Sequence, residues 1–96
     1  MKVQISPRAV QDLQEIALYI AQDNPQRALS FTAELRRKCQ RIAEKPLAYR
    51  SRRELGEHLR SCTHGHYVLF FECTDQVVTV VRVLHASRDL PQLLRG

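Results

Sequence analysis

Apolar residues recur every three or four positions through the first half of this chain, and in short alternating or continuous runs through the second. These are the periods of helix and strand. The opening KVQI alternates apolar and polar residues and predicts a first strand. Ser6-Pro7 ends that strand and begins a helix, with serine at the N-cap and proline at the first helical position. Val10, Leu13, Ile16, Ala17 and Ile20 then fall on one helical stripe. The break DNPQ repeats the start signal at Asn24-Pro25, so a second helix follows after a very short connection. Its stripe is Ala28, Phe31, Thr32, Leu35, Cys39 and Ile42, and Lys45-Pro46 closes it. Two amphipathic helices joined by a tight turn share an apolar seam that needs a second layer.

The second half supplies that layer. EHLRSC, YVLFFEC and VVTVVRVLHA predict three strands, separated by turns at THGH and TDQ. The order β-α-α-β-β-β predicts an α+β fold over residues 1–96, a single domain with the helical hairpin packed on one face of a mainly antiparallel sheet. Strict alternation puts Tyr67, Leu69, Phe71 and Cys73 on one face, with Val68, Phe70 and Glu72 on the other. In the last strand Val77, Thr79, Val81, Val83 and His85 share a face, and Val78, Val80, Arg82 and Leu84 share its reverse. Neither face is polar. The helices cover one face, and the tail SRDLPQLLRG is too short to blanket the other. Val78, Val80, Arg82 and Leu84 are therefore expected to form an exposed apolar face of the kind that marks a protein interaction site. Arg82 is available there to an incoming carboxylate or phosphate, or pairs across strands with Glu72.

Charge sharpens this picture. The net charge is +5, yet residues 36–60 hold nine cations against three carboxylates, +6, leaving the rest of the chain at −1. Arg37, Arg41, Arg50, Arg52, Arg53 and Arg60 make up the candidate basic patch, suited to nucleic acid or to an acidic protein segment. Cations in the last turns of a helix also favour its C-terminus with no ligand at all. Cys39, Cys62 and Cys73 are odd in number and lack CxxC spacing, which predicts reduced thiols rather than a disulfide framework. Cys62, His64 and His66, with His58 nearby, lack a finger spacing, so neither metal nor cofactor is expected. No segment reads as a signal peptide or membrane span, and a cytoplasmic, bacterial location is the corresponding expectation.

Taken in order, SPRAVQDLQEIALYI after a short strand, NPQRA opening the second helix, RSCTHGHYVLFFE in the meander and VLHASRDLP at the end resemble the ParE toxins of bacterial toxin–antitoxin pairs, within the ParE/RelE superfamily. The likeness spans about residues 3–91. It implies a toxin component of a type II toxin–antitoxin system, associated with plasmid stabilisation, that inhibits DNA gyrase rather than acting as an enzyme. It further implies neutralisation by a cognate antitoxin with an acidic C-terminal segment, with Val78, Val80, Arg82 and Leu84 as the antitoxin-binding face. Arg82, His85, Arg88 and Asp89 are the expected target-inhibition residues, and no direct sequence-specific DNA binding is expected without the antitoxin. The alternatives are a ribosome-dependent mRNA endoribonuclease of the RelE type and a non-toxic antitoxin-binding module. For the ribonuclease, His85 would be the acid–base group, with Arg82 and Arg88 on phosphate. The tail DLPQLLRG holds no Tyr, Lys or Glu to complete that set, which favours the gyrase-type reading.

Overall fold

Each helix begins where a short polar side chain precedes a proline. In the computed structural model, which describes residues 1–87, Ser6 Oγ accepts the Ala9 N–H at 3.1 Å and opens α1, Pro7–Asp23. Asn24 serves both helices: its N–H donates to the Ile20 carbonyl at 2.8 Å, while its Oδ1 accepts the Arg27 N–H at 3.0 Å to open α2, Pro25–Glu44. A one-residue joint thus satisfies orphan groups of two helix ends. Pro46 then starts a 3-10 turn, Pro46–Ala48, because a helix rarely continues through the residue before a proline.

The strands are β1 (Lys2–Ile5), β2 (Arg50–Ser51), β3 (Leu59–His64), β4 (Tyr67–Thr74) and β5 (Val77–His85). They lie in the order β1-β5-β4-β3-β2, with β1 parallel to β5 and the other pairings antiparallel. The sequence missed the two-residue β2 and placed β3 two residues early, so Thr63 and His64 are strand and the turn narrows to Gly65-His66. Gly65 takes φ +59°, a region glycine enters without a Cβ penalty. Asp75 and Gln76 both have positive φ, 50° and 63°, the two left-handed positions that a tight hairpin turn requires.

One irregularity reorders the sheet's faces. Phe70 pairs with Arg82 but Phe71 pairs with Val80, so Val81 is an extra residue that bulges out of β5. Before the bulge, Val78 and Val80 face the helices and are fully buried beside Phe31, Leu35, Ile42 and Phe71. After it, Val83 takes over that face and Leu84 turns to the reverse. Val78, Val80, Arg82 and Leu84 therefore do not share a face, contrary to the alternation expected from sequence.

The reverse face is not bare either. Phe70 is 0% exposed and Val68 and Leu84 are 5% and 4% exposed, forming a second core with Leu59. Leu55 and Val81 pack against this cluster, and the Arg52 guanidinium lies 5.7 Å from the Phe70 ring centroid. The charged loop between β2 and β3 thus folds over part of the sheet. Further along the same face, Gln4 Nε2 donates to Thr79 Oγ1 at 3.0 Å beside the exposed Glu72, so that end is polar. The expectation of an uncovered apolar sheet face is corrected: the chain covers it.

Candidate functional site

The exit of β5 brings together more chemistry than any other part of the described chain. β1 stops pairing at Ile5, opposite Val80, because the chain turns there into α1. Beyond this point one edge of β5 has no strand beside it. Ser6 Oγ donates to the Val81 carbonyl at 3.1 Å, and Asp12 of α1 takes the next edge group, its Oδ2 accepting the Val83 N–H at 2.9 Å. The same carboxylate receives Arg82 Nε at 2.8 Å and Arg82 Nη2 at 3.2 Å. Asp12 is 4% exposed, so this is a buried, bidentate, charge-assisted pair. Arg82 thus meets Asp12 rather than Glu72. The signal was present in the sequence: Asp12 lies between Ala9, Leu13 and Ile16 on the inward stripe of α1, where a carboxylate requires a partner.

His85, at the end of β5, is held from its own loop. The Ser87 N–H donates to His85 Nδ1 at 3.1 Å, with Ser87 Oγ 2.7 Å from the same nitrogen. Acceptance at Nδ1 selects the tautomer that carries its N–H at Nε2. Tyr67 meets the His85 ring edge-on at 5.3 Å, and His66 lies nearly parallel to it at 6.0 Å. Burial pushes the Tyr67 phenol up, so it remains a hydrogen-bond donor at neutral pH. A cleft of about 580 Å³ between α1 and this strand end is lined by Arg8, Asp12, Tyr19, His66, Tyr67, Arg82, Leu84 and His85 among others. Arg88 and Asp89, expected to join this site, lie outside the described residues.

The expected basic patch divides. Arg60 Nη1 donates to the Tyr49 carbonyl at 2.8 Å. Arg52 bonds Glu54 at 2.7 Å and Ser61 Oγ at 3.2 Å, so both arginines hold the loop. Arg37, Arg41, Arg50 and Arg53 are exposed and form no ion pair among the described residues. The candidate ligands near the β3–β4 turn have separate roles: Cys62 is buried in the core and His64 Nε2 is 2.8 Å from Glu34 Oε1. Among the described residues, no group of three or more His, Cys, Asp or Glu side chains converges on a metal-sized space.

With this geometry in hand, the chain was compared with known proteins. The sequence model for the ParE toxin of the type II toxin–antitoxin system parDE matches residues 3–90. The chain belongs to the ParE toxin family. Its fold is similar to a chain of the chromosomal ParDE toxin–antitoxin system from P. aeruginosa, with a TM-score of 0.77 and 16% identity over 91% of this chain and 97% of that one. It is also similar to a chain of the RelBE2 toxin–antitoxin complex from Mycobacterium tuberculosis, with a TM-score of 0.64 and 25% identity over 88% and 95%. No curated protein sequence matches significantly. The ParE-family fold is thus two helices on a five-stranded mixed sheet, as the element order indicated.

Proposed function

We propose that this ParE-family toxin inhibits DNA gyrase in the bacterial cytoplasm, and that a cognate antitoxin with an acidic C-terminal segment neutralises it by occupying the cleft between α1 and the end of β5. The family match carries the toxin assignment. The commitments of the cleft's side chains support binding over catalysis. Arg82 is committed to Asp12 rather than held out for a phosphate, and His85 Nδ1, the ring nitrogen that would take a proton, is engaged by Ser87. Arg8 and Arg82 are balanced in the cleft by Asp12 and Glu15, while Ile16, Tyr19, Tyr67 and Leu84 give it apolar walls. Those walls suit the apolar anchors of an antitoxin segment, with the half-exposed Arg8 available to its carboxylates. Of the antitoxin-binding residues expected from sequence, Arg82 and Leu84 line this cleft; Val78 and Val80 are core and take no part. Arg82 and His85 are the described members of the proposed gyrase-inhibiting set, and both line the cleft.

The test is induction without antitoxin, with plasmid supercoiling and mRNA integrity followed separately. Loss of gyrase supercoiling with intact mRNA is expected; normal gyrase activity beside cut mRNA would reject the proposal. The RelE-type reading draws on the stacked His66–His85 pair beside Tyr67 and on the likeness to the RelBE2 complex. It requires His85→Ala to abolish mRNA cleavage without loss of fold.

A further inference from the structure

The outward face of α2 carries cations that the fold does not use. At 100° per residue, Arg37, Arg41 and Lys38 fall within an arc of about 100° that borders the Phe31, Leu35 and Ile42 stripe, and Lys45 follows at the helix end. None makes an ion pair among the described residues, whereas Glu34, in the same arc, is held by Arg27 at 2.6 Å and His64 at 2.8 Å. Arg37, Lys38 and Arg41 line one shallow concavity with His64. Exposed Arg50 and Arg53 follow in the adjoining segment.

We propose that this face of α2 is a contact surface for the phosphate backbone of duplex DNA. Two features favour DNA over an acidic peptide. Peptide grooves take their affinity from apolar anchors, and the exposed large apolar residues of α1 and α2, Val10, Leu18, Tyr19 and Leu29, lie outside this cationic arc; the exposed Leu47 is a single apolar side chain in the segment that follows. The concavity in the arc is shallow and lined by charged and polar side chains, with no apolar pocket for an anchor, which suits a regularly spaced polyanion. Two further features specify the duplex. Tyr49, the aromatic residue of the basic stretch, is half-buried edge-on against Phe71 at 5.9 Å, so no stacking platform for single strands is presented. A helix with its side chains is about 10–12 Å across and fits the roughly 12 Å major groove of B-form DNA, whereas the A-form RNA groove is too narrow to admit one. The contact is sequence-independent, so it calls for no specific DNA recognition by the toxin alone, and it does not depend on which target the toxin inhibits.

Fluorescence anisotropy of a labelled random-sequence DNA duplex, titrated with the purified full chain across a salt series, tests the proposal. With four of these side chains on phosphate, affinity should fall about 100-fold between roughly 50 and 200 mM salt, following about −0.9 per phosphate on a log–log plot. The Arg37→Gln, Lys38→Gln, Arg41→Gln triple variant, its fold verified by circular dichroism, should weaken binding and flatten that slope by about 2.7. Lack of binding at low salt, an unchanged slope in the folded variant, tighter binding of an RNA duplex of the same length, or tighter binding of a polyglutamate peptide of matched charge would each overturn it.

Discussion

Removing the Asp12 carboxylate is the sharpest perturbation of the β5 exit. In Asp12→Ala the Val83 N–H loses its acceptor at 2.9 Å, and the Arg82 guanidinium loses contacts at 2.8 and 3.2 Å. The two side chains are only 4% and 13% exposed, so water cannot restore these bonds without opening the strand edge. Breaking a buried pair of this kind from one side costs about 3–5 kcal/mol. In a domain of this size 1 kcal/mol moves the midpoint by about 4–8 °C, so Asp12→Ala should melt at least about 12 °C lower. Asp12→Asn keeps an oxygen for the Val83 N–H and loses the charge, for about 1.5–3 kcal/mol, the value of a hydrogen bond to a charged group.

Urea denaturation followed by circular dichroism gives these values directly, and a double-mutant cycle with Arg82→Met isolates the pair. A coupling energy of about 2 kcal/mol is expected, since contacting residues in one network are non-additive. If Asp12→Ala stayed within about 1 kcal/mol of the wild type, or the cycle added within about 0.5 kcal/mol, the buried brace would not be holding the strand end. The position of His85 would then need another explanation.

Three further outcomes follow from the same structure. Glu34 is drawn down from its ordinary value of 4.5 to about 2 by hydrogen bonds from Arg27 and then His64, so its contribution is present above pH 4.5 and lost as pH falls toward 2; Glu34→Gln should lower stability at neutral pH and flatten the acid limb of a pH series of urea melts. Ser6→Ala removes both the α1 cap and the bond to the Val81 carbonyl and should cost about 1–2 kcal/mol, whereas Ser6→Asp, which keeps a cap acceptor, should recover most of it; equal losses in both variants would refute a capping role. Burial pushes the Cys39 and Cys62 thiols up, while Cys73 is half-buried, so iodoacetamide followed by mass spectrometry should label Cys73 first in the native state.

Both helices were legible because their boundary signals are local. Ser6-Pro7, Asn24-Pro25 and Lys45-Pro46 act within one turn of themselves, and no distant contact is needed to read them. The bulge at Val81 was not legible, since it exists only as a mismatch between β5 and β4, and one extra residue reverses which face every later side chain takes. Val10 lies on the expected apolar stripe of α1 but is 40% exposed, while Asp12 lies inside; the actual inward face is rotated toward the carboxylate that β5 needs. The cover over the reverse face was hidden in a loop that reads as charged, where a lone Leu55 and the apolar stem of Arg52 do the covering.

The bulge also relocates the argument for a partner. A bare sheet would have required a second chain to cover it, but Val68, Phe70 and Leu84 are already sealed, so no partner is needed to complete this fold. The turn of the chain from β1 into α1 leaves the end of β5 without a strand beside it, and Ser6 and Asp12 supply hydrogen bonds along that edge. A strand end braced from a helix rather than from a neighbouring strand keeps its outward side chains beside a cleft instead of inside a sheet. Arg82, Leu84 and His85 reach the cleft wall for that reason. Without the bulge, strict alternation through Val81 would place Arg82 on the face occupied by Val80 and bury a guanidinium in the main core. The feature that misled the sequence reading is thus the one that builds the site.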